Sequence, residues 1–453
     1  MKLPKRGQLG SNFWNREPRF AAYARSLGDS LHGNSMTRSI IGSVLLLAGC
    51  MAAGPVPVTK GHPAHYLYVW AGDMDGVDPD FLAVFDVLPS SPTYGAILSS
   101  TPVGTTPGMP HHLEYAMPPE GALLFANDHW TEAVSLLDTR DAVHPAVARV
   151  LPPIPPLRYP HDFVRLPNGH LLVGYLRSDG PSPLPGDSTS PGGHGGIAEV
   201  TAGGDLVRWR SAADSTIDVP IRPYAFAVLP AIDRAVVTSA AMLEDTSANV
   251  VQIWRLSDLT LLRTMPVPEA ALPDGTVLVG SNGLPFEPRV LDDGSVFFNT
   301  YRCGFYHLTG IADPAPVLRP VYAIPTADRK GACGVPLHVG PYWIMAVGRA
   351  NSLVTLDIRD PQHPREVQRL YADSLFRPHW LAYDPGGSRI VVGAENGGET
   401  RMLLATVDTA TGQVSWDARL RTPGGMRGLS FERTTWPHGA TGPAFGHAAL
   451  FRR

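Results

Sequence analysis

Histidine holds an unusual set of positions in this chain. His111, His161 and His379 each follow a proline and His447 follows a glycine, and each opens a strand-like apolar stretch (PHHLEY, PHDFVRL, PHWLAY, GHAALF). A neutral imidazole offers one nitrogen lone pair, and several that converge on one point hold a transition metal. His112, beside the first, and His438, in Trp436-Pro437-His438-Gly439, offer two more nitrogens. An all-imidazole set suits copper or zinc, and copper where electrons must move. No carboxylate or thiolate shares the repeated position, which argues against calcium or magnesium there. Glu114, Asp162 and Glu287 are candidates to orient an imidazole or to act as a base. Each has an alternative partner in an arginine such as Arg289 or Arg377. His62, His65, His129, His144, His194 and His363 read as scattered surface or loop residues. The sequence holds no phosphate-cradling glycine loop, no HExxH and no Gly-x-Ser-x-Gly.

The elements that carry these histidines are short strands. Examples are 66–71 (YLYVWA), 81–87 (FLAVFDV), 133–137 (AVSLL), 250–256 (VVQIWRL) and 352–358 (SLVTLDI), and no stretch reads as an amphipathic helix. The Pro-or-Gly, variable residue, apolar pattern recurs seven times, at Pro110, Pro160, Pro223, Pro288, Pro336, Pro378 and Gly446. The variable residues in the units without histidine are Tyr224, Arg289 and Leu337. The spacings are 50, 63, 65, 48, 42 and 68 residues, each room for about four strands. One strand follows Gly446 and three precede Pro110, which together make one closing unit. The pattern is an all-β, seven-bladed β-propeller closed by three N-terminal strands and one C-terminal strand. The first strand of each blade lines the central channel. The four histidine units are the sixth, seventh, first and second, so closure makes them neighbours. Trp380, Phe163 and Leu113 would form an apolar channel rim or belong to the core.

Composition agrees. The 453 residues include 46 Gly and 45 Pro and only 17% charged residues, which disfavours a helical bundle. Residues 1–49 hold seven Lys/Arg and two Asp/Glu, leaving a net charge of −9 on the rest, so charge recruits neither nucleic acid nor an anionic membrane. The apolar run 40–49 (IIGSVLLLAG) is too short to span a bilayer and follows Met36-Thr37-Arg38, as in a secretory signal. Leu47-Ala48-Gly49-Cys50 looks like a bacterial lipobox. The expectation is translation from Met36 and a lipid on Cys50, its only tie to a membrane, giving a periplasmic or outer-membrane lipoprotein. Residues 1–49 are then leader and signal, 50–61 linker and 62–453 propeller. Cys303 and Cys333 fit either one bridge or two free thiols.

At these residues the chain resembles the selenium-binding protein / methanethiol oxidase family. The matching stretches are PDFLAVFDVLPSSPTYG (79–95), MPHHLEY (109–115), PHDFVRLPNGHLL (160–172) and RPYAFAVLP (222–230). Others are EPRVLDDGSVFFNTYRCGFYHLTG (287–310), CGVP (333–336), RPHWLAYD (377–384) and TGPAFGHAALF (441–451). The resemblance implies a seven-bladed propeller and, in the bacterial branch, a secreted copper-dependent methanethiol oxidase. Such an enzyme converts methanethiol, O2 and water to formaldehyde, hydrogen sulfide and hydrogen peroxide. It also implies copper ligands at His111, His112, His161, His379 and His438 or His447. Two departures stand out. The paired-Cys segment of eukaryotic members is missing from HHLEYAMPPEGALLFAND, which puts selenium attachment in doubt, and Gly446 replaces a common proline. His129 and His338 are extra. Two other readings remain: a non-catalytic exported selenium- or copper-binding propeller, and a lactonase-type hydrolase. The latter would need a carboxylate-rich calcium site that the channel positions lack.

Overall fold

The computed structural model describes residues 62–104, 108–179, 193–242, 246–325, 332–395 and 398–453. The leader, the signal segment, Cys50 and the linker lie outside them.

Seven antiparallel sheets account for nearly all the regular structure. The first blade runs Pro110–Leu113, Leu124–Asp128, Val134–Asp138 and Ala146–Leu151. Five more follow in chain order, with innermost strands Leu157–Arg165, Pro223–Leu229, Pro285–Val290, Cys333–Val339 and Pro378–Asp384. The seventh joins Ala444–Arg452 to Tyr66–Asp73, Phe81–Asp86 and Ile97–Pro102. In it the C-terminal strand is innermost and pairs Ala449 with Val69. The closure read from strand counting is therefore present. The sixth blade carries an extra strand, Leu429–Ser430, on Arg401–Val407.

Burial explains the strand order. Phe81–Asp86 is buried along its whole length, whereas outermost strands such as Ala146–Leu151 are mostly exposed. One apolar core fills each gap between neighbouring blades, including the gaps on both sides of the closing blade. Each blade can hide a sheet face only against the next, so ring closure removes the last exposed face. Tight turns link the strands. Asp293-Gly294 and Asn168-Gly169 place glycine at φ 78° and 83°, a region costly for a side chain. Cys303 and Cys333, 30 residues apart, form a disulfide between the fourth and fifth blades.

Every blade carries a β-bulge near the start of its innermost strand. In the first, Pro110 pairs with Asp128 and Leu113 with Ala126, so His111 and His112 face Asn127 alone. The same two-against-one pattern falls at His161-Asp162, Tyr224-Ala225, Phe286-Glu287 and Gly334-Val335. His379 and His447 are single extra residues in the sixth and seventh blades. Two units of the sequence repeat are corrected by this register. In the fourth blade the counterpart of Pro110 is Pro285, not Pro288, and in the fifth it is Cys333, not Pro336. Arg289 and Leu337 thus sit three residues beyond Phe286 and Gly334, the counterparts of His111. The Pro285-Phe286-Glu287-Pro288 stretch offers two prolines in one strand, and the apolar pattern alone chose the wrong one.

Candidate metal centre

A bulge kinks its strand and re-aims the extra side chain. Here seven bulges aim their residues at one another. The ring runs His111, His161, Tyr224, Phe286, Gly334, His379 and His447. Ring centroids of successive members lie 5.1 Å (His111–His161), 3.9 Å (His161–Tyr224) and 4.2 Å (Tyr224–Phe286) apart. Phe286 and His379 bridge the side-chain-free Gly334 at 6.2 Å, then come 5.3 Å (His379–His447) and 4.3 Å (His447–His111). Glycine is required at that gap, because a Cβ on Gly334 would lie 2.9 Å from His379 Nδ1.

Two further histidines flank this ring. His112 lies 4.2 Å from His161 and edge-on to Trp380 at 5.0 Å. His129 lies 3.8 Å from His111 and 4.5 Å from Tyr159. His129, read as a surface or loop residue, is instead 1% exposed and central. One signal could have found it. Antiparallel pairing of Pro110 with Asp128 sets the residue after the second strand beside the start of the first, and His129 N–H donates to Met109 O at 3.0 Å. His111, His129 and His161 each present one nitrogen, and these lie within 4.8 Å of one another. The other five scattered histidines do not join the group.

His438 is placed elsewhere. Its Nδ1 is 2.6 Å from Ser100 Oγ, its Nε2 is 2.8 Å from Thr441 Oγ1, and its ring packs on Phe81. Ser100 belongs to Ile97–Pro102, the outermost strand of the closing blade, at the far side from the ring. Between the two alternatives His438 and His447, only His447 stands in the cluster.

Backbone and side-chain bonds fix the imidazoles. Asn127 accepts from His112 N–H at 2.6 Å and donates to Pro160 O at 2.6 Å, tying the first two blades at the bulge. His161 Nδ1 is 2.8 Å from Tyr224 O, and His447 Nδ1 is 2.9 Å from His111 O. A carbonyl only accepts, so Nδ1 carries the proton in both and Nε2 keeps its lone pair. Both nitrogens of His111 and of His129, Nε2 of His112 and His161, and Nδ1 of His379 are buried without a protein partner. Such atoms are costly to strand and point to a ligand. Burial holds His161 and His447 down to about 3 and His379 down to about 4. Burial and mutual repulsion push His111, His112 and His129 well below the usual range. Neutral imidazole is the form a metal needs.

The three carboxylate candidates separate. Glu114 is held by Arg165 (2.7 and 2.8 Å) and by Phe125 N–H, not by Arg289 or Arg377. Asp162 accepts Phe163 N–H and Phe226 N–H, pinning the second and third blades. Glu287 accepts from Tyr115 Oη at 2.8 Å and from Arg289 at 3.0 Å. Tyr115 Oη in turn lies 3.4 Å from His112 Nδ1. Only Glu287 therefore connects to an imidazole. Burial raises the Asp162 and Glu287 carboxyls, and the Glu287 charge raises Asp162 further. Trp380, Phe163 and Leu113 are 0–2% exposed and belong to the inter-blade cores rather than to an open rim. Trp380 still borders the site through His112.

No known family profile and no curated protein matches the chain. Solved propellers do. A hypothetical selenium-binding protein from Sulfolobus tokodaii is 14% identical, with a TM-score of 0.66 over 86% of this chain and 94% of that one. The periplasmic gluconolactonase of Pseudomonas aeruginosa is 17% identical, with a TM-score of 0.55 over 78% and 94%. A putative 6-phosphogluconolactonase from Bacteroides fragilis is 11% identical, with a TM-score of 0.55 over 80% and 95%. At these identities the likeness establishes the seven-bladed fold. Selenium-binding and lactonase propellers share it.

Proposed function

We infer that this propeller binds copper through its clustered histidines and that the loaded protein oxidises a small thiol with O2, as in the methanethiol oxidase family it resembles. The observation that carries this reading is the trio His111, His129 and His161, whose nitrogens lie within 4.8 Å of one another. Orphaned, buried and neutral, they fit a borderline-soft transition metal. His447 and His112 are placed to add nitrogens. Copper held there supplies an acceptor for a thiolate sulfur and a one-electron couple.

The chain's own groups do the rest. The carbonyls of Tyr224 and His111 fix the tautomers of His161 and His447. Burial keeps competing protons and water away. His379 and His447, 6% and 7% exposed, are the most exposed members of the cluster, and a small molecule would approach past them. Glu287, reached through Tyr115, is the carboxylate positioned to take a proton. The Cys303–Cys333 disulfide supports an oxidising compartment, in line with the export signal read at 40–50. It also leaves no free thiol for selenium among the described residues.

A second reading, a non-catalytic copper carrier, is favoured by the burial of His111, His112 and His161, each at most 1% exposed. The two separate on one sample. After copper loading, elemental analysis should find metal, and methanethiol should give sulfide and peroxide. Copper without products favours the carrier. His129→Ala and His161→Ala should each lose copper and turnover together, while His438→Ala keeps both. Full copper in both of the first two variants would overturn the site.

A further inference from the structure

Turning a thiol into aldehyde and sulfide releases two electrons, and copper takes one at a time. The thiol-oxidase reading, on which this inference rests, avoids a free substrate radical if the chain holds a second one-electron carrier. One side chain at the edge of the imidazoles has the surroundings of such a carrier. Tyr115 stacks on Trp380 with centroids 5.4 Å apart and planes 5° from parallel. Trp380 touches His112 edge-on at 5.0 Å, and the Tyr115 and His112 rings are 5.9 Å apart. The Tyr115 hydroxyl donates to both oxygens of Glu287 at 2.8 Å. Arg289 lies over the same ring at 4.6 Å and pairs with Glu287 at 3.0 Å. Tyr115 itself is only partly buried, so it joins the enclosed histidines to the surface.

We propose that Tyr115 is a redox-active residue that carries one of the two electrons, with Glu287 as its proton acceptor and Trp380 as its stacked electronic partner. In the oxidising direction the Tyr115 O–H bond breaks. The proton goes to Glu287, the electron passes toward the histidine centre, and a neutral tyrosyl radical remains. In the reducing direction the thiol returns one electron to Tyr115 and Glu287 returns the proton. The other substrate electron would go to copper held by the histidines. O2 would then accept both electrons together with the two protons that the thiol and water release in forming aldehyde and sulfide, and leave as hydrogen peroxide. The contact of the hydroxyl with Glu287 ties loss of the electron to the proton transfer. Among the described residues two other tyrosines donate to carboxylates, Tyr94 to Asp417 and Tyr301 to Glu395, but neither ring touches an imidazole.

The test uses metal-free protein and a soluble one-electron oxidant, hexachloroiridate(IV), followed by rapid freezing and electron paramagnetic resonance. The wild type should give a tyrosyl signal that is lost in Tyr115→Phe and kept in Tyr301→Phe and Tyr94→Phe. Glu287→Gln, which cannot take the proton, should slow its appearance. An unchanged signal in Tyr115→Phe overturns the proposal. If that variant does not fold, unaltered kinetics in Glu287→Gln overturns it instead. Copper stoichiometry on the same preparations tests the metal reading separately. Protein that takes no copper yet forms the radical at Tyr115 refutes the oxidase and upholds the tyrosine. Protein that takes copper and forms its radical elsewhere overturns the tyrosine alone.

Discussion

Replacing His161 by asparagine should change how stability depends on pH, by an amount the burial fixes. An unfolded histidine titrates near pH 6.5, whereas folded His161 titrates near 3. Below 6.5 the unfolded chain gains a proton that the folded protein refuses. The wild type therefore loses stability at this residue as pH falls from 6.5 toward 3, and keeps it above 6.5. The slope is about 1.4 kcal/mol per pH unit, or about 2 kcal/mol at pH 5. His379 and His447 contribute terms of the same order, against a typical domain stability of roughly 5–15 kcal/mol. Asparagine still donates to the Tyr224 carbonyl but does not titrate. Urea unfolding of metal-free wild type and variant, from pH 7.5 to 4.5, reads the difference directly. The variant should gain on the wild type by ~2 kcal/mol between pH 7.5 and pH 5. Parallel stability curves would show that His161 takes up a proton as readily folded as unfolded, and the argument that burial keeps it neutral would fall.

Asp80 should act in the opposite direction. Burial and the neighbouring Asp128 raise it to about 9, so the folded protein holds a proton that the unfolded chain releases above pH 4. Stability at this group is present at low pH and declines by about 1.4 kcal/mol per pH unit up to about 9. Asp80→Asn, which donates to Asp128 without ionising, should melt higher than the wild type at pH 8 and the same at pH 4. Gly393→Ala should disturb the centre through the backbone alone, since its Cβ would come 2.3 Å from His447 O. A lower melting temperature with weakened copper binding is expected; unchanged copper affinity would show that the position of the His447 strand does not matter to the metal.

The fold was legible because a propeller repeats. Four strands per unit, with one left over at one end and three at the other, leave closure as the economical arrangement, and the Ala444–Arg452 strand pairs with Tyr66–Asp73 accordingly. Four of the centre's histidines were legible through their shared place after Pro or Gly. His129 was not, because it belongs to the hairpin partner rather than to the repeated strand. His438 was misplaced because its own segment, Trp436-Pro437-His438, copies the proline-histidine signal without a bulge behind it. The fourth and fifth units were read out of phase for a related reason. A bulge is a property of pairing between two strands, and a one-dimensional pattern sees only one of them. Glu287 was named as a candidate from sequence, but its route to His112 depends on Tyr115, which nothing in the spacing singled out.

Closure also sets a time order. Translation delivers His111, His129 and His161 early, His379 later and His447 after every other blade's innermost strand. A nascent chain can thus offer the trio His111, His129 and His161 but never the complete cluster of imidazoles. If the cluster holds a metal as proposed, His447 joins it only with the final zippering of Ala444–Arg452 onto Tyr66–Asp73. Metal occupancy would then serve as a certificate of complete folding, and a truncated or misclosed molecule would lose the ion to any competing chelator.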